Sequence, residues 1–328
     1  MSNAFYRRSA MYAAFFQPSG EMRGSIDREV RRLLGRTPRR VLDPACGPGL
    51  WLAHFAAKGA EVAGCDLEED AIALASENLP TRGATVRVGD MRRPPDELGD
   101  GFDLVVNLDN SIGHLPEYMD VAEHLAAVRR RMSPRGVYLL GLAVREEGDR
   151  IEPSVVYERG PVDVPGGGFA ALRTQTLGLQ PVTRCERILQ IAITAGVKDA
   201  PPVITEQYDL ITFPLALLKD CLAVAGGFEV LACYDATDES LPERRLTKGA
   251  GDVLLALRPA QDKSQVKSQV KSQEKSRSTA QSTPKSAAQS APQGKSARKP
   301  TREPTREPSR KSTRKPTRKP TRTRPAKR

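Results

Sequence analysis

The stretch Val41-Leu42-Asp43-Pro44-Ala45-Cys46-Gly47-Pro48-Gly49 decides how this chain is read. It begins as a short apolar strand that ends on a carboxylate, then breaks into a loop of small residues and prolines. A helical pattern follows over Leu50 to Lys58, and Gly59 stops it. Small residues at positions 45, 47 and 49 let the backbone turn tightly and approach a bulky ligand. In open α/β sheets a corner of this kind lies outside the carboxyl ends of the strands, where ligands bind.

The same alternation extends outward. Before the stretch, Ile26, Val30, Leu33 and Leu34 share one face of a predicted helix over Glu21 to Leu34. After it come predicted strands at Glu61–Asp66, Thr85–Val88, Phe102–Leu108 and Gly136–Leu142, with helices over Asp70–Asn78 and Glu117–Met132. Strands alternating with helices imply right-handed crossovers and a mainly parallel sheet. The alternation fails after about residue 145. Residues 151–212 read as β-rich, with candidate strands near 154–157, 170–177, 184–194 and 204–212, and Ile188-Leu189-Gln190-Ile191 has the pattern of a half-buried strand. This block is expected to be an antiparallel insertion covering the mouth of the main sheet. A helix over Leu215–Ala225 and strands at Phe228–Tyr234 and Asp252–Leu257 close the domain.

The charge is divided unevenly. The chain holds 51 Lys and Arg against 40 Asp and Glu, a net of +11. Residues 261–328 carry 21 of the basic and 4 of the acidic residues, leaving 30 and 36 in Met1 to Ala260, so a mildly acidic body precedes a polycationic tail. The tail repeats Lys-Ser-Gln and Lys-Pro-Thr-Arg units and has no aromatic residue. It is expected to be disordered and to contact polyanions such as RNA or DNA through charge alone. The domain plan is therefore a helical lid over 1–39, a catalytic domain over 40–260 containing the β-rich insertion 151–212, and the tail 261–328. The 5 cysteines have no paired spacing, which points to a reducing cytoplasm and not to a disulfide framework. No apolar run is long enough to span a membrane. The basic-then-apolar start at Arg7 to Phe16 lacks a cleavage pattern for a signal peptide. No metal constellation is visible.

Asp66, at the end of the second strand, can accept both hydroxyl protons of a ribose. A dinucleotide fits poorly. The third glycine of a G-x-G-x-x-G fingerprint counted from Gly47 falls on Leu52, and Asp43 would set a carboxylate beside a pyrophosphate. Asp43 suits a cationic group instead.

Asp43 to Gly49 resembles motif I of class I S-adenosylmethionine (SAM) dependent methyltransferases, with Ala45 in place of the first glycine. Asp66 resembles the motif II acid, Val88-Gly89-Asp90-Met91 resembles motif III, and Phe102 to Val106 the fourth strand. The resemblance implies a Rossmann-like α/β fold with a mainly parallel seven-stranded sheet, SAM as cofactor, and a cofactor-binding set of Asp43, Ala45, Cys46, Gly47, Gly49, Asp66, Leu67, Asp90, Met91, Leu108 and Ser111. Tyr12 lies over the cofactor as part of a lid or simply packs. Leu108-Asp109-Asn110-Ser111-Ile112-Gly113-His114-Leu115 is similar to the segment that lines the methyl-transfer site of glycine and sarcosine N-methyltransferases, with Asp109 replacing a glycine. That likeness implies Asn110 and His114 as catalytic residues. His54 and His124 read as ordinary packed or exposed histidines. Cys46 lacks a base partner. Arg145 is expected either to meet a substrate carboxylate or to be a solvated loop charge.

The expected activity is methyl transfer to an N or O atom of a small molecule. The alternative is a nucleic-acid or protein methyltransferase recruited by the tail. The DNA amino-methyltransferase form of that alternative lacks its tetrad, because Asn107-Leu108-Asp109-Asn110 stands where it belongs.

Overall fold

The computed structural model describes residues 8–180 and 182–260; Tyr6 and the basic tail 261–328 lie outside the described residues. The strands in chain order are β1 (Arg40–Asp43), β2 (Glu61–Asp66), β3 (Ala84–Val88), β4 (Phe102–Asn107) and β5 (Met132–Val144). Then come β6 (Ser154–Asp163), β7 (Phe169–Leu179), β8 (Cys185–Ala195) and β9 (Val203–Ile211), and finally β10 (Phe228–Asp235) and β11 (Gly251–Pro259). The helices are α1 (Ser9–Phe15), α2 (Gly20–Leu34), α3 (Leu50–Ala56), α4 (Glu69–Asn78), α5 (Tyr118–Arg131) and α6 (Leu215–Val224).

Seven strands form one sheet in the order β10-β11-β5-β4-β1-β2-β3. β1 pairs in parallel with β2 and β4, β2 with β3, and β4 with β5, whereas β11 runs antiparallel to both neighbours. Both faces are covered. Leu42 and Val105 belong to the core beneath α5 and α6, while Val41, Leu104 and Val106 belong to the core beneath α2, α3 and α4. Successive strand residues point to opposite faces, so an all-apolar run such as Leu104-Val105-Val106 serves both cores.

Local signals set the helix ends. Ser19 caps α2 by accepting the Met22 N–H at 3.0 Å, and Gly35, left-handed at φ 71°, ends it. Glu117 and Asp120 form a capping box on α5.

The β-rich block is a separate four-stranded antiparallel sheet, β6-β7-β8-β9. β6 and β7 are longer than their sequence patterns suggested, because alternation at their ends is diluted by glycine, proline and polar residues, whereas β8 and β9 match theirs in length and lie within one residue of the expected bounds. Helix α1 was not expected. It has no side-chain cap and no acidic first turn, and it is held by packing Met11 and Phe15 on Ala170, Leu172, Ala192 and Ile204 of the inserted sheet. Among the described residues, no helix is long and apolar enough to cross a membrane.

The loop after β1 lies tight against β2. A Cβ on Gly64 would sit 2.7 Å from Leu52 Cδ1 and 2.9 Å from the Asp43 carbonyl oxygen. Gly64→Ala is therefore expected to destabilise the domain by about 1–3 kcal/mol, read as a lower midpoint in urea unfolding at unchanged slope. A wild-type midpoint would mean that the loop is not held this close to the strand.

Candidate functional site

β1, β2 and β4 end at the same edge of the sheet, next to the switch in strand order between β1 and β4. Two carboxylates meet there. Asp66 accepts the Gly47 N–H at 2.7 Å through Oδ2 and the Glu68 N–H at 3.0 Å through Oδ1. Asp43 Oδ1 accepts the Ala45 N–H at 3.1 Å. The Cys46 N–H donates to the Cys65 carbonyl at 2.9 Å, which pins the loop to β2. Gly47 adopts φ 50°, and a Cβ there would be 3.9 Å from the Tyr12 ring.

These residues wall a cavity of about 460 Å³. Asp43, Ala45, Cys46 and Gly47 line it, with Asp66, Leu67 and Met91. Leu108, Ser111 and His114 line the β4 side, and Tyr12 covers the loop. Three expected site residues lie elsewhere. Gly49 packs on α4, with its Cβ position 3.1 Å from Ala75 Cβ. Asp90 is not among the lining residues; its carboxylate is taken up by the Arg92 backbone and guanidinium, at 2.8 and 2.9 Å. Asn110, left-handed at φ 54°, is also absent from the lining, because its amide folds beneath the turn Ser111–His114, against Gly113.

The sequence reading missed Asn107, Asp109, Trp51, Phe16 and Tyr208, which all line the cavity. Asn107 and Asp109 flank Leu108 in a segment already singled out, so proximity to it was the available signal. Tyr208 comes from β9 and has no sequence signal at all.

Four lining residues are acidic, namely Asp43, Asp66, Glu68 and Asp109, and none is Lys or Arg. Burial raises the Asp43 carboxyl to about 8 against the Ala45 hydrogen bond, with smaller upward pressure from the charges of Asp66 and Asp109. Burial likewise raises Asp66, against its backbone hydrogen bonds, and Asp109, against the charge of Arg159. Burial lowers His114 to about 4, so its imidazole is neutral at pH 7; the ring lies 5.2 Å from Tyr208. Burial pushes the Cys46 thiol up, which leaves no thiolate for nucleophilic work.

The other singled-out residues are structural. His124 bridges the Met91 carbonyl and the Tyr138 hydroxyl, both at 2.8 Å, inside the core. His54 meets Asp27 at 3.0 Å. Arg145 pairs with Asp252 at 2.8 Å, so it is neither free for a substrate carboxylate nor loosely solvated. Among the described residues, no three His, Cys, Asp or Glu are grouped to hold a metal ion.

Residues 41–136 match the family described as methyltransferase domain. Among curated relatives, the chain is 31% identical over 146 residues to a ubiquinone biosynthesis O-methyltransferase of Rhizobium etli, covering 39% of this chain and 54% of that one. It is 34% identical over 100 residues to a dTDP-3-amino-3,6-dideoxy-alpha-D-glucopyranose N,N-dimethyltransferase of Streptomyces fradiae, covering 30% and 38%. The chain thus spans about half or less of the length of these relatives. Among solved structures, DesVI of Streptomyces venezuelae superposes with a TM-score of 0.59 at 23% identity, over 76% of this chain and 95% of that one. The fold is that of the class I SAM-dependent methyltransferases, and residues 41–136 are the part that matches the methyltransferase-domain family.

The raised Asp43 carboxyl has a consequence for any cation that binds beside it. Below about pH 8 the carboxyl holds a proton, and a cationic ligand must displace it. SAM affinity is therefore expected to rise from pH 6 to about pH 8 and then level off. Asp43→Asn should flatten that rise, as titration calorimetry across the pH range can measure. An affinity that falls over this interval would remove Asp43 from contact with the cation.

Proposed function

We propose that this chain is a SAM-dependent methyltransferase that methylates an N or O atom of a small molecule. The observation that carries the reading is the pair of carboxylates, Asp43 and Asp66, on adjacent strand ends either side of Gly47 and in one cavity with His114. The donor set fits the cofactor: one carboxylate for a diol, one for a positive charge, and a glycine where backbone and ligand approach. Asn107 supplies a further sign of fit, because its buried Nδ2 has no hydrogen-bond partner among the described residues.

SAM, when bound, supplies a methyl group on a positively charged sulfur that leaves as a neutral thioether. The chain's own residues do the rest. Asp66, already oriented by two backbone N–H groups, has lone pairs left for two ribose hydroxyls. Met91 offers an apolar surface for the adenine, while Asp90 orders the same loop through Arg92. Tyr12, which lies over Gly47 and stacks on Phe16 at 4.4 Å between ring centres, gives α1 and the residue after it the lid role that excludes water, while α2 packs on the main sheet. His114, neutral at pH 7, can accept a hydrogen bond from an acceptor N–H or O–H.

The two relatives named above methylate, by their descriptions, an oxygen and an amino sugar, so both atoms fit the reading. The acidic lining works against a phosphodiester backbone at the methyl-transfer site and favours the small-molecule reading over nucleic acid.

Transfer of labelled methyl from SAM into a fractionated cell extract tests the reading. Label is expected in the small-molecule fraction; label confined to RNA or protein would overturn it. Asp66→Ala is expected to weaken SAM binding at least about tenfold, the scale of a lost charged hydrogen bond. Unchanged affinity by calorimetry would take Asp66 out of the site.

A further inference from the structure

The acceptor side of the cavity contains a carboxylate that cofactor binding does not use. Asp109 lies two residues beyond the end of β4, and its position is built. A Cβ on Gly141 of β5 would lie 2.2 Å from the Leu108 carbonyl oxygen and 3.3 Å from the Asn110 nitrogen, so β5 backs this turn at closest approach. Asn110 then turns left-handed and buries its amide under the next turn. Between these two anchors Asp109 lines the cavity, exposed to solvent through its mouth yet surrounded by protein.

Its surroundings are those of a cation site. The side chain makes no hydrogen bond with a described residue. Arg159 is the positive charge that acts on Asp109, but its hydrogen bond and ring contacts are with other residues. It donates to the Phe15 carbonyl at 2.5 Å and stacks over Phe16 and Tyr157, with its central carbon 4.8 and 4.9 Å from the ring centres. Tyr12, Phe16, His114 and Tyr208 line the same cavity. A carboxylate among aromatic faces holds an ammonium by charge and by cation–π attraction. Asn107, a sign of cofactor fit, offers a donor to an acceptor atom of a ligand and not to the ammonium itself. It is 2% exposed, and Ser111 N–H fixes its Oδ1 at 3.2 Å, which leaves Nδ2 as a buried donor without a partner.

We propose that Asp109 binds the protonated amino group of the methyl acceptor, so that the acceptor class is an aliphatic amine. This rests on the methyltransferase reading. The ammonium N–H bond breaks, its proton passes to an Asp109 carboxylate oxygen, and the electron pair stays on nitrogen, giving the neutral amine that can be methylated. Burial raises the Asp109 carboxyl, in the direction that favours taking this proton.

The test uses the full chain saturated with S-adenosylhomocysteine, which cannot donate a methyl group. Benzylamine and benzyl alcohol are titrated as matched probes near pH 7, with SAM affinity measured separately. Benzylamine is expected to bind at least about tenfold more tightly than the alcohol. Asp109→Asn should abolish that preference, and Asp109→Glu should restore part of it. Equal binding of the two probes, binding of neither, or an amine preference untouched by Asp109→Asn would overturn the assignment. Failure of the wild-type chain to bind SAM would overturn the methyltransferase reading itself, which separates the two.

Discussion

The hydrogen bond from the Gly47 N–H to Asp66 Oδ2 joins the loop after one strand to the end of its parallel neighbour, and the site depends on it. It can form because β1 and β2 pair in register from Arg40↔Glu61 to Asp43↔Gly64. That register carries both strands to the same edge of the sheet. The bond is a backbone donor meeting a carboxylate, so it orients Asp66 and shapes the loop in one contact. Gly47 at φ 50° makes the geometry available, since a branched side chain there meets both backbone strain and the Tyr12 ring. Two parallel strands thus deliver two carboxylates to one cavity, with no metal and no mobile side chain needed to position them.

Like charges so close exact a cost, and it shows in the Asp43 carboxyl, which is raised to about 8 and so holds a proton near neutral pH. Asp43, Asp66 and Asp109 are all raised by burial, and Asp43 is raised further by the other two. A cavity in this state carries less negative charge when empty than its composition suggests. It gains charge when a cation arrives, so the attraction develops where the ligand sits. An anionic ligand finds no Lys or Arg on these walls. The acidic field is thus a selectivity device as well as a source of affinity.

The β-strands, the glycine loop and the Asp43–Asp66 pair were legible because each is set by local pattern: apolar runs, small residues at a turn, a carboxylate at a strand end. The residues whose place relative to the cavity differs from the sequence reading were decided by contacts remote in the chain or by competition. Asp90 has the expected position after β3, but Arg92, two residues on, claims its carboxylate. Asn110 follows β4 as expected, yet its left-handed backbone turns the amide under the next turn while its neighbour Asp109 takes the cavity. Tyr208 reaches the cavity only because β9 lies on the edge of a sheet whose pairing no local pattern specifies. Helix α1 has the weakest local signal of all, since its stability comes from packing on that sheet.

The two halves of the cavity are therefore held by unequal means. The cofactor corner rests on the central strands of the seven-stranded sheet, between the two large apolar cores. The opposing wall, with Tyr12, Phe16 and Tyr208, rests on α1 and the inserted sheet, whose shared core is much smaller. Opening free energy follows buried apolar contact, so the wall opens at lower cost than the corner. The carboxylates therefore sit on the part of the cavity whose disturbance costs most, so the alignment that methyl transfer requires rests on the central strands and not on the aromatic wall.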